Sequence, residues 1–199
     1  MRAGHYENRR ESVDIMIKSS RQVIEELILY GVDFEHKSNG ELLYTKEGAH
    51  SRARICYHKD ITGQEITTKL LAQVRKLDNV TIMEYTTMTD IVEKNGMCGG
   101  FICKDKDGNA FVIEAADSIM ATGGIGGLYE HSTNFPSLTG DGCRICERHG
   151  IKLENMDYVQ IHPTSLYIKK KDGAPKERSF LISESCRGEG AVLLNHKGQ

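Results

Sequence analysis

The chain has 199 residues, of which 39% are hydrophobic, and a formal net charge of −2. That length holds one large domain, or one and part of another, with apolar content enough for a core. The balanced charge offers no nucleic-acid or membrane surface, no window nears the roughly 20 apolar residues of a membrane helix, and the polar start lacks a signal-peptide apolar stretch. The expectation is a cytoplasmic protein with no nucleic-acid partner and no membrane segment. The six cysteines, Cys56, Cys98, Cys103, Cys143, Cys146 and Cys186, are too sparse for a disulfide scaffold and read as free thiols.

Residues 9–30 read as an amphipathic helix, with Val13, Ile17, Val23, Ile24, Leu27 and Ile28 at three- and four-residue spacing, and with Gly31 as its C′ stop. So apolar a stripe calls for a partner surface. Residues 32–60 are polar and irregular. Within them Lys46-Glu47-Gly48-Ala49-His50-Ser51-Arg52-Ala53-Arg54 is dense in functional side chains, although its composition alone fits a solvated loop. A second helix spans 63–77, with Ile66, Leu70, Leu71 and Val74 on its apolar face.

Strands are expected at 80–85, 89–92, 97–103 and 110–115. Lys94-Asn95-Gly96 and Lys106-Asp107-Gly108-Asn109 supply the turns of a meander. A short apolar strand at 117–124 ends in Gly123-Gly124. A helix over 139–149 is capped by Thr139 or Asp141 and closed by Gly150. A strand at 158–161 ends at His162-Pro163, residues 168–178 form a solvated loop, and a last strand covers 191–195. The order points to an α/β fold with an α+β insert, an open sheet with a small antiparallel excursion.

Four runs bear on chemistry. Ala121-Thr122-Gly123-Gly124 ends a strand where a backbone without Cβ can meet a cofactor, although an ordinary Gly-rich turn reads the same way. Thr139-Gly140-Asp141-Gly142 sets a carboxylate and free N–H groups at a helix start, suited to a sugar or ribityl hydroxyl and equally to a plain cap. His162 precedes a proline, which holds its backbone extended and its imidazole at a strand end, able to donate to a carboxylate. Ser183-Glu184-Ser185-Cys186-Arg187-Gly188-Glu189-Gly190-Ala191 adds a hydroxyl, carboxylates and a guanidinium, with Arg187 and Glu189 expected to pair as a clasp. Cys143, Cys146 and His149 have the look of half a metal site, but they fall within one helix and no second pair has zinc-ribbon spacing, so no metal is expected.

In this order and spacing, Ala121–Gly124, Thr139–Gly142, Gln160-Ile161-His162-Pro163-Thr164 and 183–191 resemble the flavoprotein family of succinate dehydrogenase, fumarate reductase and L-aspartate oxidase, across nearly the whole chain. The 46–55 run, with His58, Asp60 and Thr62-Gly63 after it, is similar to the L-aspartate oxidase branch. The resemblance implies a partial FAD-binding, Rossmann-like domain over 1–161, without its N-terminal dinucleotide βαβ unit, and the beginning of a substrate-capping domain over 162–199. It implies oxidation of L-aspartate to iminoaspartate by hydride transfer to FAD, toward quinolinate and NAD, with hand-over to quinolinate synthase. Glu47, His162, Ser183 and Glu184 are then the substrate-binding residues, with Glu47 answering the ammonium that aspartate has and succinate lacks. Ala121, Thr122, Gly123, Gly124 and Asp141 are the cofactor-binding residues. Where the family usually has Thr, Ser183 keeps the hydroxyl. The family's catalytic arginine, a second carboxylate-binding histidine and a further arginine are expected beyond residue 199. The expectation is therefore an internal fragment with no catalytic residue of its own, inactive alone and weak in FAD binding. The rival readings are a fumarate reductase or succinate dehydrogenase flavoprotein acting on a fumarate- or succinate-like dicarboxylate, and a non-catalytic α/β binding module.

Overall fold

The computed structural model of the protein describes residues 4–48, 50–169 and 177–199; Ala49 and residues 170–176 of the expected solvated loop lie outside the described residues. The chain forms two units, Met1–Ile82 with Ser183–Gln199, and Met83–Ile182.

The first unit opens with helix α1, Arg10–Leu29. Its end is a Schellman motif. Gly31 adopts φ +91°, its N–H donates to Ile28 O at 2.9 Å, and the Val32 N–H donates to Leu27 O at 3.0 Å, which satisfies carbonyls the helix would otherwise leave open. The expected stripe forms, but no residue of α1 is buried. Ile17 is 63% exposed, so the partner surface is not formed among the described residues. The chain then turns into Val32 and Phe34, the buried apolar side chains of this unit. They sit beside a short antiparallel ladder that pairs β1, Tyr44–Thr45, with β2, Ile55–Cys56. This ladder lies in the segment read as irregular, because its strands are two residues each and carry no alternation long enough to see. Helix α2 covers Thr62–Val74. Glu65 Oε1 accepts from the Asp33 N–H at 3.1 Å and Gln73 donates to Tyr30 O at 2.8 Å, so both its ends are tied to the turn after α1. The Asp33 N–H holds the Glu65 carboxyl below its ordinary value.

The second unit is built on an antiparallel meander of β3, Thr87–Lys94, β4, Met97–Lys104, and β5, Ala110–Glu114. Asn95 and Gly96 join β3 to β4 with φ of +52° and +75°, the left-handed pair that a two-residue hairpin of matching twist requires. Between β4 and β5, Asp105 caps its own loop by accepting from the N–H groups of Asp107 at 2.8 Å and Asn109 at 2.9 Å. Gly100 has φ +135°, and a Cβ there would overlap the Ile113 carbonyl across the ladder, so this strand position tolerates only glycine. Helix α3, Asp141–Arg148, buries Ile145, and β3 and β4 contribute Ile91 and Cys103 to the core. Two-residue strands β6, Ser165–Leu166, and β7, Phe180–Leu181, pair beyond it.

Four expected strands are not formed. Residues 80–85, 117–124, 158–161 and 191–195 have no ladder. Strand propensity is satisfied only when a neighbour offers its backbone groups, and these runs have none among the described residues. The mixed α/β character with an antiparallel excursion is as read.

Candidate functional site

In the first unit, residues 46–48 meet a helix that the sequence reading missed. Helix α4, Glu184–Gly188, has a local logic visible in hindsight: a Ser at the N-cap, Glu in the first turn and Arg in the last. Ser183 Oγ accepts from the Ser185 N–H at 3.3 Å and lies 2.7 Å from Ser185 Oγ. Arg187 Nη1 sits 3.5 Å from Glu184 Oε1, while that buried oxygen has no hydrogen-bond partner. The pairing is Coulombic and does not meet hydrogen-bond geometry. The expected clasp thus forms with Glu184 and not Glu189, because residues three apart share a helix face and residues two apart do not.

The loop packs on α4 by backbone. A Cβ on Gly48 would lie 3.1 Å from Arg187 Cβ and 3.4 Å from Glu184 Oε2, and a Cβ on Gly188 would overlap the Lys46 carbonyl and stand 3.2 Å from Glu47 Cα. The His50 N–H donates to Glu47 O at 2.9 Å, and the Glu47 N–H reaches His50 Nδ1 at 3.4 Å. The backbone of Glu47 and Gly48 is therefore brought against Glu184 and Gly188 of α4, far along the sequence, with Ser183 capping the same helix. The Glu47 side chain is exposed and Glu184 half-buried.

In the second unit, His162 lines a cavity of about 320 Å³ together with Gly126, Tyr129, His131, Asn134 and Tyr158, at the lower end of the size range for small-ligand pockets. The Thr164 N–H donates to His162 Nδ1 at 3.2 Å. Nδ1 is therefore an acceptor, and Nε2 carries the proton in the neutral ring, free to donate to a carboxylate. The sequence reading missed His131, whose ring stands edge-on to Tyr167 at 5.2 Å. The polar run His131-Ser132-Thr133-Asn134 is the signal that marked it.

The proposed cofactor run lies in the same unit. Ala121, Thr122, Gly123 and Gly124 are exposed, and their backbone groups have no protein partner among the described residues. A Cβ on Gly124 would meet nothing within 4 Å, and Gly123 has φ +75°. The N-cap of α3 is Gly140, in the left-handed conformation, and not Thr139 or Asp141. Thr139 Oγ1 instead donates to Asp141 Oδ2 at 2.9 Å. A Cβ on Gly142 would overlap Thr122 Oγ1 and lie 3.1 Å from Met120 Sδ, so the start of α3 presses directly on the run. Unspent backbone donors, a carboxylate and a Cβ-free surface suit a ligand rich in phosphate and hydroxyl groups, and these residues fit FAD. Cys143 and Cys146 ride on α3, with Cys146 Sγ 3.8 Å from Met120 Sδ. Among the described residues, no three His, Cys, Asp or Glu side chains group as metal ligands, and no helix is long and apolar enough to cross a membrane.

The family model of the FAD binding domain matches residues 1–199. L-aspartate oxidase of Clostridium perfringens is 44% identical over 199 residues, which are 100% of this chain and 44% of that protein. L-aspartate oxidase of Neisseria meningitidis is 34% identical over 189 residues, 94% of this chain and 37% of that protein. Among solved structures, a mutant of E. coli quinol fumarate reductase FrdA superposes with a TM-score of 0.85 at 27% identity, covering 95% of this chain and 31% of that one. The chain thus spans less than half the length of the curated relatives it matches. It belongs to the FAD-binding domain family, among the flavoproteins of the succinate dehydrogenase and fumarate reductase type.

Proposed function

We propose that the chain is the flavin-binding and dicarboxylate-gripping part of an FAD-dependent L-aspartate oxidase, converting L-aspartate to iminoaspartate. The observation that carries this reading is the packing of the Glu47 loop on α4, where Gly48 and Gly188 let the two backbones touch. The Glu47 backbone lies against the helix that Ser183 caps and Glu184 begins, which supports reading Glu47 as the partner of the ammonium and those two as the grip on the rest of the substrate.

In this reading the Ser183 hydroxyl donates to a substrate carboxylate, with Glu184 and its Arg187 partner beside it, and in the second unit His162 Nε2–H is a further carboxylate donor. Glu47 takes the α-ammonium. Residues 1–161 serve the cofactor, and 162–199 open the cap over the substrate. FAD, when bound, supplies the two-electron acceptor; the chain's own groups orient the α-carbon toward it and exclude misplaced substrate. The imine product hydrolyses in water, so quinolinate synthase is the fitting consumer. Glu47 favours this reading over a fumarate or succinate enzyme, whose substrate offers no cation to meet.

The cofactor half is tested by Asp141→Ala in the enzyme that carries this chain. Losing one charge-assisted hydrogen bond removes about 1.5–3 kcal/mol, or tenfold and more in affinity. Flavin fluorescence titration should show FAD binding weakened by at least that factor. Unchanged affinity would remove Asp141 from the cofactor site.

A further inference from the structure

Helix α3 is held at both ends by different elements of its unit, and the end away from the proposed cofactor run is gripped by charge. Asp90 lies on β3 between two register shifts, Met88/Asp90 and Ile91/Glu93, irregularities of the kind that re-aim a side chain. Asp90 Oδ1 lies 2.7 Å from His149 Nε2, and Oδ2 lies 3.1 Å from Arg148 Nη2. An ionised carboxylate only accepts, so Nε2 is the donor. Arg148 Nη2 also donates to Thr89 O at 2.9 Å, and His149 Nδ1 stands 3.7 Å from Glu93 Oε2. Arg148 belongs to the last turn of α3, where positive charge suits the exposed carbonyls, and His149 is the C-cap of the same helix. At the other end, Gly142 presses on Thr122 and Met120. The helix has eight residues and is therefore only about 12 Å long. Over so short a rod, a shift at one end reaches the other.

We infer that Asp90 is a positioning residue for the cofactor site: through Arg148 and His149 it fixes the end of α3, and α3 in turn sets the carboxylate of Asp141 and the backbone of Thr122. The inference rests on reading those two residues as FAD contacts. An apolar contact would hold the helix against the sheet but would not fix its rotation. A carboxylate gripping a guanidinium and an imidazole from two sides does, because both donors must point at it. Nothing here requires Asp90 to touch a ligand.

The test uses Asp90→Ala and, to keep the shape of the strand, Asp90→Asn. Lys94→Ala is the control, removing the separate hairpin ion pair of Lys94 with Glu114 at 2.7 Å. Amide hydrogen exchange by NMR is read at Arg144, whose N–H closes the first turn of α3 on Gly140 O, and at Phe101 and Cys103 in the β4–β5 ladder. Exchange at Arg144 should rise about tenfold in both Asp90 variants, in line with one lost charged hydrogen bond. The Thr122 amide resonance should shift, the ladder amides should stay as they are, and the control should leave Arg144 unchanged. FAD affinity of the enzyme should fall about tenfold in Asp90→Asn. Faster exchange confined to residues 148–149, equal loosening of the ladder, or full FAD affinity in both variants would overturn the inference. Should the parent protein bind no FAD, the cofactor reading fails, while the Arg144 and Thr122 results still decide whether Asp90 positions α3.

Discussion

Glu47→Gln, in the proposed L-aspartate oxidase, should lower kcat/KM for L-aspartate by about 10- to 100-fold and leave any succinate turnover unchanged. The substitution keeps the size and one acceptor of the side chain and removes its charge. A hydrogen bond to a charged group contributes about 1.5–3 kcal/mol, and each 1.4 kcal/mol is a factor of ten. Because the amine nitrogen carries positive charge as the bound ammonium and again, one proton lighter, in the iminium-like transition state, most of the loss should fall on KM. Steady-state kinetics with both substrates measure this directly. Equal losses with aspartate and succinate would show that Glu47 supports the loop and does not read the amine.

Gly188→Ala should be the most disruptive single methyl in the first unit. Glycine in a helix costs about 0.5–1 kcal/mol relative to alanine, so at an unconstrained position alanine would be favoured. Here the added carbon would enter the Lys46 carbonyl, and the loop or α4 must give way. Overpacking of this kind costs about 1–3 kcal/mol. The displaced segment carries Glu47 on one side and Glu184 on the other, so dicarboxylate binding should weaken along with thermal stability. Gly63→Ala is the matched control, since a Cβ there meets nothing within 4 Å; it should leave Tm level or slightly raised. Calorimetry with a ligand titration checks both, and a Gly188→Ala protein of parental Tm and affinity would show that the loop does not depend on this contact.

Much of this was legible because the signals were local. The 3.6-residue spacing in α1, Gly31 as its stop, and Asn95-Gly96 as a hairpin turn each depend on neighbours within a few positions, and each forms as read. The run at 117–124 has the composition of a strand, but a strand is a pairing, and its partner cannot be read from its own residues. Helix α4 is five residues long and carries too few turns for periodicity to show. The proposed site residues were chosen for their chemistry, and the packing of the 46–48 segment on α4 was not legible. That Gly188 exists to admit Lys46 is a fact of packing between segments far apart in the chain, and so is the grip of Asp90 on His149, 59 positions away.

The most direct test of the central claim is anaerobic reduction of the flavin in the enzyme that carries this chain, followed by the loss of its visible absorbance. L-aspartate should bleach the flavin at least tenfold faster than succinate at equal concentration, with iminoaspartate, or the oxaloacetate formed by its hydrolysis, as product. Bleaching by succinate at an equal or greater rate, or none by L-aspartate, would contradict the assignment of Glu47 as the residue that selects the substrate and, with it, the proposed reaction.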